Sequence, residues 1–169
     1  LVDSEIIAAR VEADLITRAG YEISPEEVSE SYAGLTFKEI LLRIEEKASI
    51  PFSAALIEQA ESLTDKRLAN EVQAIEGVRE AVLSVTAPRC ICSNSSTERI
   101  DAMLTRVGLK RLFEGHIFSS LATPGGKPKP APDVFLYAAG KMGADPEKTF
   151  VIEDSVHGIA GARAAGMRV

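Results

Sequence analysis

The chain has no tryptophan, and aromatic residues make up 5% of it. Nothing in it suggests the aromatic platform on which single-stranded nucleic acid stacks. Cysteine is equally scarce: Cys90 and Cys92 are the two present, which excludes a disulfide-dense secreted scaffold. They stand two apart in an apparent strand, so they share a face but lie too far apart for an easy disulfide. The expectation is a pair of buried, reduced thiols in a cytoplasmic protein. No apolar run approaches the roughly 20 residues that span a bilayer. The opening Leu1-Val2-Asp3-Ser4-Glu5 has acids where a signal peptide carries a basic segment. An excess of basic charge is also lacking. The formal net charge of -6 argues against nucleic acid or an anionic membrane as the main partner, since both select a basic face.

What is present is an ordinary globular composition, 46% hydrophobic and 26% charged over 169 residues, enough for one core and a small accessory module. The first part reads as helical. Ile6, Ala9, Ala13 and Ile16 fall at helical spacing, with Gly20 as the end. Ser24-Pro25-Glu26-Glu27 supplies an N-cap, a first-turn proline and a glutamate at N3. Gly34 closes that helix, and Thr36-Phe37-Lys38-Glu39 opens the next as a capping box followed by Ile40, Leu41, Ile44 and Ala48. Ser53 caps a fourth helix with Leu56, Ala60 and Leu63 on one face. No strand pattern interrupts this stretch, so residues from about 5 to 70 form a small helical bundle.

Near Ile75-Glu76-Gly77 the pattern changes. Val78, Val82 and Val85 mark a short helix. Arg89–Ser93 reads as a strand, the segment through Ile100, Met103, Leu104 and Val107 as a helix, and His116–Ser119 as a second strand. A helix over Val134–Met142 and a third strand over Thr149–Glu153 follow, then a helix from Ser155 to Gly166. Met167-Arg168-Val169 begins another strand. Strands alternating with helices define a parallel α/β sheet. His116 falls in a strand and His157 on the last helix, where packing or surface roles account for both.

Three short segments carry chemistry. Cys92-Ser93-Asn94-Ser95-Ser96 places hydroxyls and free backbone N–H groups at a strand tip before a helix, which is an anion site or simply a set of caps and turn formers. Lys127-Pro128-Lys129-Pro130-Ala131-Pro132-Asp133 is a proline-stiffened turn that can aim a lysine at a fixed point, or a solvated basic loop. The strand ending at Thr149-Phe150-Val151-Ile152 reads as buried and stops at two adjacent carboxylates, Glu153 and Asp154. Unit charges about 4 Å apart repel by about 4 kcal/mol at an effective dielectric near 20. A hard cation such as Mg²⁺ removes that cost, and oxygen ligands suit it. A helix cap explains only one of the two acids.

In this order and spacing, Ser93-Asn94-Ser95, Lys129-Pro130-Ala131-Pro132-Asp133 and Glu153-Asp154-Ser155 resemble motifs II, III and IV of the haloacid dehalogenase superfamily. The subgroup is similar to the β-phosphoglucomutase-like sugar-phosphate phosphatases. The resemblance implies an α/β fold: a Rossmann-like parallel sheet core with an inserted helical cap. Residues 1–4 would be the remnant of the motif I loop, 5–74 the cap and 75–169 the catalytic core. Motif I itself, Asp-x-Asp, would lie upstream of Leu1, and a final strand and helix beyond Val169. Asp3 fits as a cap of the first helix rather than as a nucleophile.

The resemblance also implies a mechanism. An upstream Asp would form an aspartyl-phosphate. Lys129 and Ser93 would be catalytic, with Ser93, Asn94 and Lys129 binding phosphate and Glu153 and Asp154 holding Mg²⁺. Ser4, Thr36 and Lys38 are candidates for substrate contact from the cap and loop. The expected partner is a small phosphorylated sugar or sugar acid, with no nucleic acid and no membrane. Dehalogenases of the superfamily work without Mg²⁺, and the paired acids argue against that branch. The mutase branch carries a cap arginine where Phe37 stands and a Lys-Asn pair where Ser96-Thr97 stands, which favours a plain phosphatase. β-Phosphoglucomutase-type transfer and a non-catalytic phosphate or Mg²⁺ binder are the alternatives.

Overall fold

Helix α1 (Glu5–Arg18) runs into α2 (Pro25–Ser31), α3 (Phe37–Ala48) and α4 (Ala54–Glu71). The coordinates come from a computed structural model that describes residues 1–32, 35–48, 54–113 and 115–169. Gly34 and Ser53, expected as a helix end and a helix cap, lie outside the described residues. The chain divides into two units, Leu1–Glu76 and Gly77–Val169.

In the first unit the local signals act as expected. Ser24 Oγ accepts the Glu27 N–H at 3.1 Å, with Pro25 in the first turn of α2. Thr36 Oγ1 accepts from Glu39 N at 3.3 Å, while Glu39 Oε2 accepts from Thr36 N at 2.7 Å. That reciprocal pair satisfies two otherwise orphaned donors at the start of α3. Ala9, Ala13 and Ile16 of α1 pack with Ile23, Val28 and Tyr32 and with Ile40, Leu41 and Ile44 of α3. Ile16, Ile40 and Ile44 are essentially fully buried, each stabilising the fold by about 1.5–3 kcal/mol relative to exposure. Val2 and Ala74 form an isolated antiparallel bridge, and the Asp3 N–H donates to Gln73 O at 3.2 Å.

The sequence reading fails at three places in this unit. Asp3 is not the N-cap of α1; that position is Ser4, whose side chain makes no capping bond. Asp3 is held instead in the segment that pairs with the residues after α4. Ile6 is exposed and Ile7 buried, and Leu63 is exposed while Thr64 and Leu68 are buried. In each helix other expected positions, Ala9, Ala13 and Ile16 in α1 and Ala60 in α4, are buried, and only the one residue turns outward.

The second unit opens with α5 (Val78–Ser84). Then come β1 (Ile91–Ser93), α6 (Thr97–Arg106), β2 (Ile117–Ser119), α7 (Asp133–Met142) and α8 (Val156–Ala164). β1 and β2 are parallel, with Ile91 opposite Ile117 and Ser93 opposite Ser119. The parallel α/β character expected from alternation is therefore present. Two clusters hold the unit together. Ile100, Leu104 and Leu109 pack with Ile91 and Ile117. Val134, Phe135, Ala139, Ala162, Ala165 and Met167 pack with Cys92, Phe118 and Val151.

The third strand is much reduced. Phe150 makes a single parallel bridge with Arg168, carried by Val151 N–H to Arg168 O and Arg168 N–H to Thr149 O at 2.7 and 3.0 Å. Nor is this segment buried as expected: Phe150 is 71% and Ile152 99% exposed. Alternation explains the split. Val151 points into the α7–α8 cluster, whereas Phe150 and Ile152 lie on the other side, where the Arg168 guanidinium stands 5.3 Å from the centre of the Phe150 ring. Among the described residues no helix is long and apolar enough to cross a membrane.

One carboxyl group in α1 escaped the sequence reading. Burial, with a smaller contribution from Glu5, pushes Glu12 up from its ordinary value of 4.5 to about 7. A raised carboxyl binds its proton more tightly in the folded chain, so stability is full below pH 4.5 and falls as the pH climbs through 7. Glu12→Gln should therefore match the parent protein at pH 4. At pH 8 it should exceed the parent by on the order of 2 kcal/mol, as read by urea unfolding at the two pH values.

Candidate active site

The segments singled out in the sequence after residue 77 converge on one ion pair. Lys129 Nζ lies 2.6 Å from Glu153 Oε2, with the two side chains 10% and 13% exposed. The same ammonium stands 5.0 Å from the centre of the Phe135 ring. An aromatic face attracts a cation, so Phe135 adds a second favourable contact to the lysine. Lys127, its neighbour in the same turn, is exposed.

Asn94 fixes the backbone of that lysine. Its Oδ1 accepts from Lys129 N at 2.8 Å, and its Nδ2 donates to Lys129 O at 3.2 Å. A single carboxamide thus satisfies both main-chain groups of one residue and ties the β1 tip to the proline-rich turn. Sequence reasoning assigned Asn94 to phosphate and missed this clamp. The signal was the polar planar side chain beside a turn too proline-rich to satisfy its own backbone.

Glu153 is held at its other oxygen as well. Oε1 accepts from Ser155 Oγ at 2.8 Å and from Ser155 N at 3.2 Å. Ser155 Oγ also accepts from Gly158 N at 3.0 Å and so caps α8. Burial alone raises the Glu153 carboxyl, but Lys129 and Ser155 together outweigh it and hold the group below the ordinary carboxylate range. Asp154 next to it is exposed.

This arrangement changes the electrostatic argument for a cation. The repulsion expected between adjacent acids is already offset at Glu153 by Lys129. What remains for a hard cation is the exposed Asp154 carboxylate and the oxygen-only character of the pair, which suits Mg²⁺ over softer metals. Among the described residues no three His, Cys, Asp or Glu side chains gather as a ready cluster.

Ser93 ends β1, and its Oγ accepts from Ser95 N at 3.1 Å, forming a tight turn. Ser119 Oγ of β2 donates to Ser95 O at 2.7 Å and braces that turn. Ser96 caps α6 through Arg99 N. Ser93 and Asn94 therefore share the β1 tip, and Asn94 reaches Lys129 and through it Glu153. Ser4, Thr36 and Lys38 belong to the first unit: Ser4 begins α1, the Thr36 hydroxyl is engaged by Glu39, and Lys38 is exposed. His116 and His157 are both exposed. Cys90 and Cys92 are free and half-buried rather than fully buried. Cys92 Sγ sits 3.8 Å from Val134 O, and its hydrogen bond with Cys90 together with burial raises its thiol.

Parallel strands ending at a lysine–carboxylate pair, with polar turns at the same tips, describe an α/β enzyme core of the kind that binds ligands beyond its strand ends. The family model for haloacid dehalogenase-like hydrolases matches residues 1–169, and the chain belongs to that family. A conserved haloacid dehalogenase-like protein from Agrobacterium tumefaciens superimposes with a TM-score of 0.94 at 56% identity, over 99% of this chain and 76% of that one. A family hydrolase from Deinococcus radiodurans, solved with bound phosphate and sodium, gives a TM-score of 0.82 at 32% identity, over 99% of this chain and 73% of that one. The 6-phosphogluconate phosphatase of Escherichia coli K12 is 28% identical over 170 residues, covering 100% of this chain and 76% of that protein.

Removing the lysine leaves a buried carboxylate without its partner, which costs about 3–5 kcal/mol when pairs of this kind are broken. Lys129→Met should lose roughly that much in urea unfolding at pH 7. The Glu153 carboxyl is depressed, so its contribution is complete above the ordinary value of 4.5 and disappears as the pH falls through its lower folded value. The gap between parent and Lys129→Met should therefore narrow steadily below pH 4.5; a gap that is unchanged at pH 3 would contradict the pairing.

Proposed function

We propose that the protein is a Mg²⁺-dependent phosphatase that hydrolyses a small phosphorylated metabolite of the sugar or sugar-acid phosphate class. The observation that carries this reading is the Lys129–Glu153 pair at the strand tips, joined by Asn94 to the Ser93 turn. A fixed cation beside hydroxyl and backbone donors is what a transferring phosphoryl group needs, because such reactions are governed by positioning and charge stabilisation. The phosphate-bearing family hydrolase and the sugar-acid phosphatase among its relatives support the same choice.

In this reading Lys129 offsets negative charge on the phosphoryl oxygens, and Glu153 and Phe135 keep its ammonium at one place. Ser93 turns its hydroxyl toward a phosphoryl oxygen, and the Asn94 backbone at the β1 tip adds a donor. Asp154 and Glu153 are this chain's carboxylates for Mg²⁺, which when bound supplies Lewis-acid polarisation of a phosphoryl oxygen. Asp154 carries more of that task, since both oxygens of Glu153 are already engaged. The helical residues 5–74 serve as a cap that selects the substrate, with Ser4, Thr36 and Lys38 as candidate contacts.

Phosphate release from a panel of sugar and sugar-acid phosphates, measured with Mg²⁺ and with EDTA, tests the reading. Release that depends on Mg²⁺ supports it; release that persists in EDTA removes the metal, and failure on every ester removes the phosphatase. Asp154→Asn should weaken Mg²⁺ binding in a calorimetric titration and lower turnover. Lys129→Ala should lose about 10²-fold or more in rate, as deletion of a transition-state charge does.

A further inference from the structure

We infer that Gly158 is a positioning residue for Glu153: the space left by its missing side chain is where the glutamate stem lies while its carboxylate meets Lys129. A Cβ built at position 158 would overlap Cγ, Cδ and Oε2 of Glu153. The helix itself makes no such demand. Gly158 is buried within α8 and does not have the left-handed backbone that calls for glycine, and alanine is the better helix former. Its N–H donates to Ser155 Oγ, and that hydroxyl donates to Glu153 Oε1. Glu153, Ser155 and Gly158 thus close a ring at the start of α8.

Gly161 lies on the same helix face, three residues on. A Cβ there would stand 3.0 Å from Phe135 Cε2, 3.1 Å from Ala131 O and 3.3 Å from Pro130 O. Those atoms belong to the turn that follows Lys129 and to the ring beneath its ammonium. One glycine of α8 therefore seats the acid of the ion pair, and the other seats the loop that carries the base. The consequence for turnover rests on the role proposed for Lys129 and Glu153; the contact itself does not.

The test is a cycle of Gly158→Ala, Glu153→Ala and the double variant, with Gly161→Ala as a control in both backgrounds. Glu153→Ala removes Cγ, Cδ and both oxygens, and with them the atoms a Cβ at 158 would meet. Gly158→Ala should lower the urea midpoint when Glu153 is present and raise it when alanine stands at 153. Gly161→Ala should lower the midpoint equally in both. In the parent background Gly158→Ala should cost about tenfold to a hundredfold in kcat with KM little changed, and the double variant should turn over no worse than Glu153→Ala. An equal rise in midpoint for Gly158→Ala in both backgrounds would overturn the contact, as would rescue of Gly161→Ala by Glu153→Ala. Full turnover by Glu153→Gln would overturn the role of the ion pair instead, and the urea cycle would still decide the contact.

Discussion

A lysine and a glutamate with little access to water, 2.6 Å apart, set the terms for everything around them. Neither could be left alone at that depth: an unpaired buried charge costs several kcal/mol. The surrounding groups satisfy what the pair leaves over. Phe135 faces the ammonium, Ser155 fills the second carboxylate oxygen, and Asn94 takes both backbone groups of Lys129. Four separate stretches of chain, at 94, 129–135, 153–155 and 158–161, are thereby held to one geometry. None of them is adjacent to all the others in sequence, so the ion pair acts as the common reference for the strand tips.

That demand explains the composition of α8. The helix has Gly158, Gly161 and Ala162 on its buried side. Large apolar residues would bury more area and stabilise the core more. Small ones let the helix approach the turn after Lys129 and the Glu153 stem closely. The core compensates elsewhere, through Val134, Phe135 and Met167 in the same cluster and the fully buried Leu109 in its neighbour. Close approach at the strand tips and bulk at a distance from them are two halves of one packing solution.

Much of this was legible in the sequence because the signals were local. Capping boxes at Ser24 and Thr36, helix alternating with strand, and the turns at Ser93 and Lys129 follow from rules that act over three or four residues. What was not legible depended on partners distant in the chain. Spacing could pair Glu153 with Asp154, its neighbour, but not with Lys129, which is 24 residues away. The role of Asn94 required knowing that the turn at 129 passes beside it. Ile152 reads as core by composition and is solvent-facing by alternation, since only one side of its segment is covered. Nothing local in the sequence marks Glu12, and only its burial in the fold reveals the cost of its charge.

The engagement of Glu153 has a consequence for the acid beside it. Two adjacent carboxylates look equivalent in sequence, but their surroundings differ. One is desolvated, neutralised by a lysine and hydrogen-bonded at both oxygens; the other is exposed. A group whose lone pairs are already satisfied gains less from a new ligand than one whose lone pairs face water, because it must first give up what it holds. Adjacent acids on a strand tip therefore divide the work. The first holds the Lys129 ammonium in place, and the second keeps its carboxylate open to solvent. The division follows from the partners within reach: Lys129 and Ser155 meet Glu153, while Asp154 stands exposed.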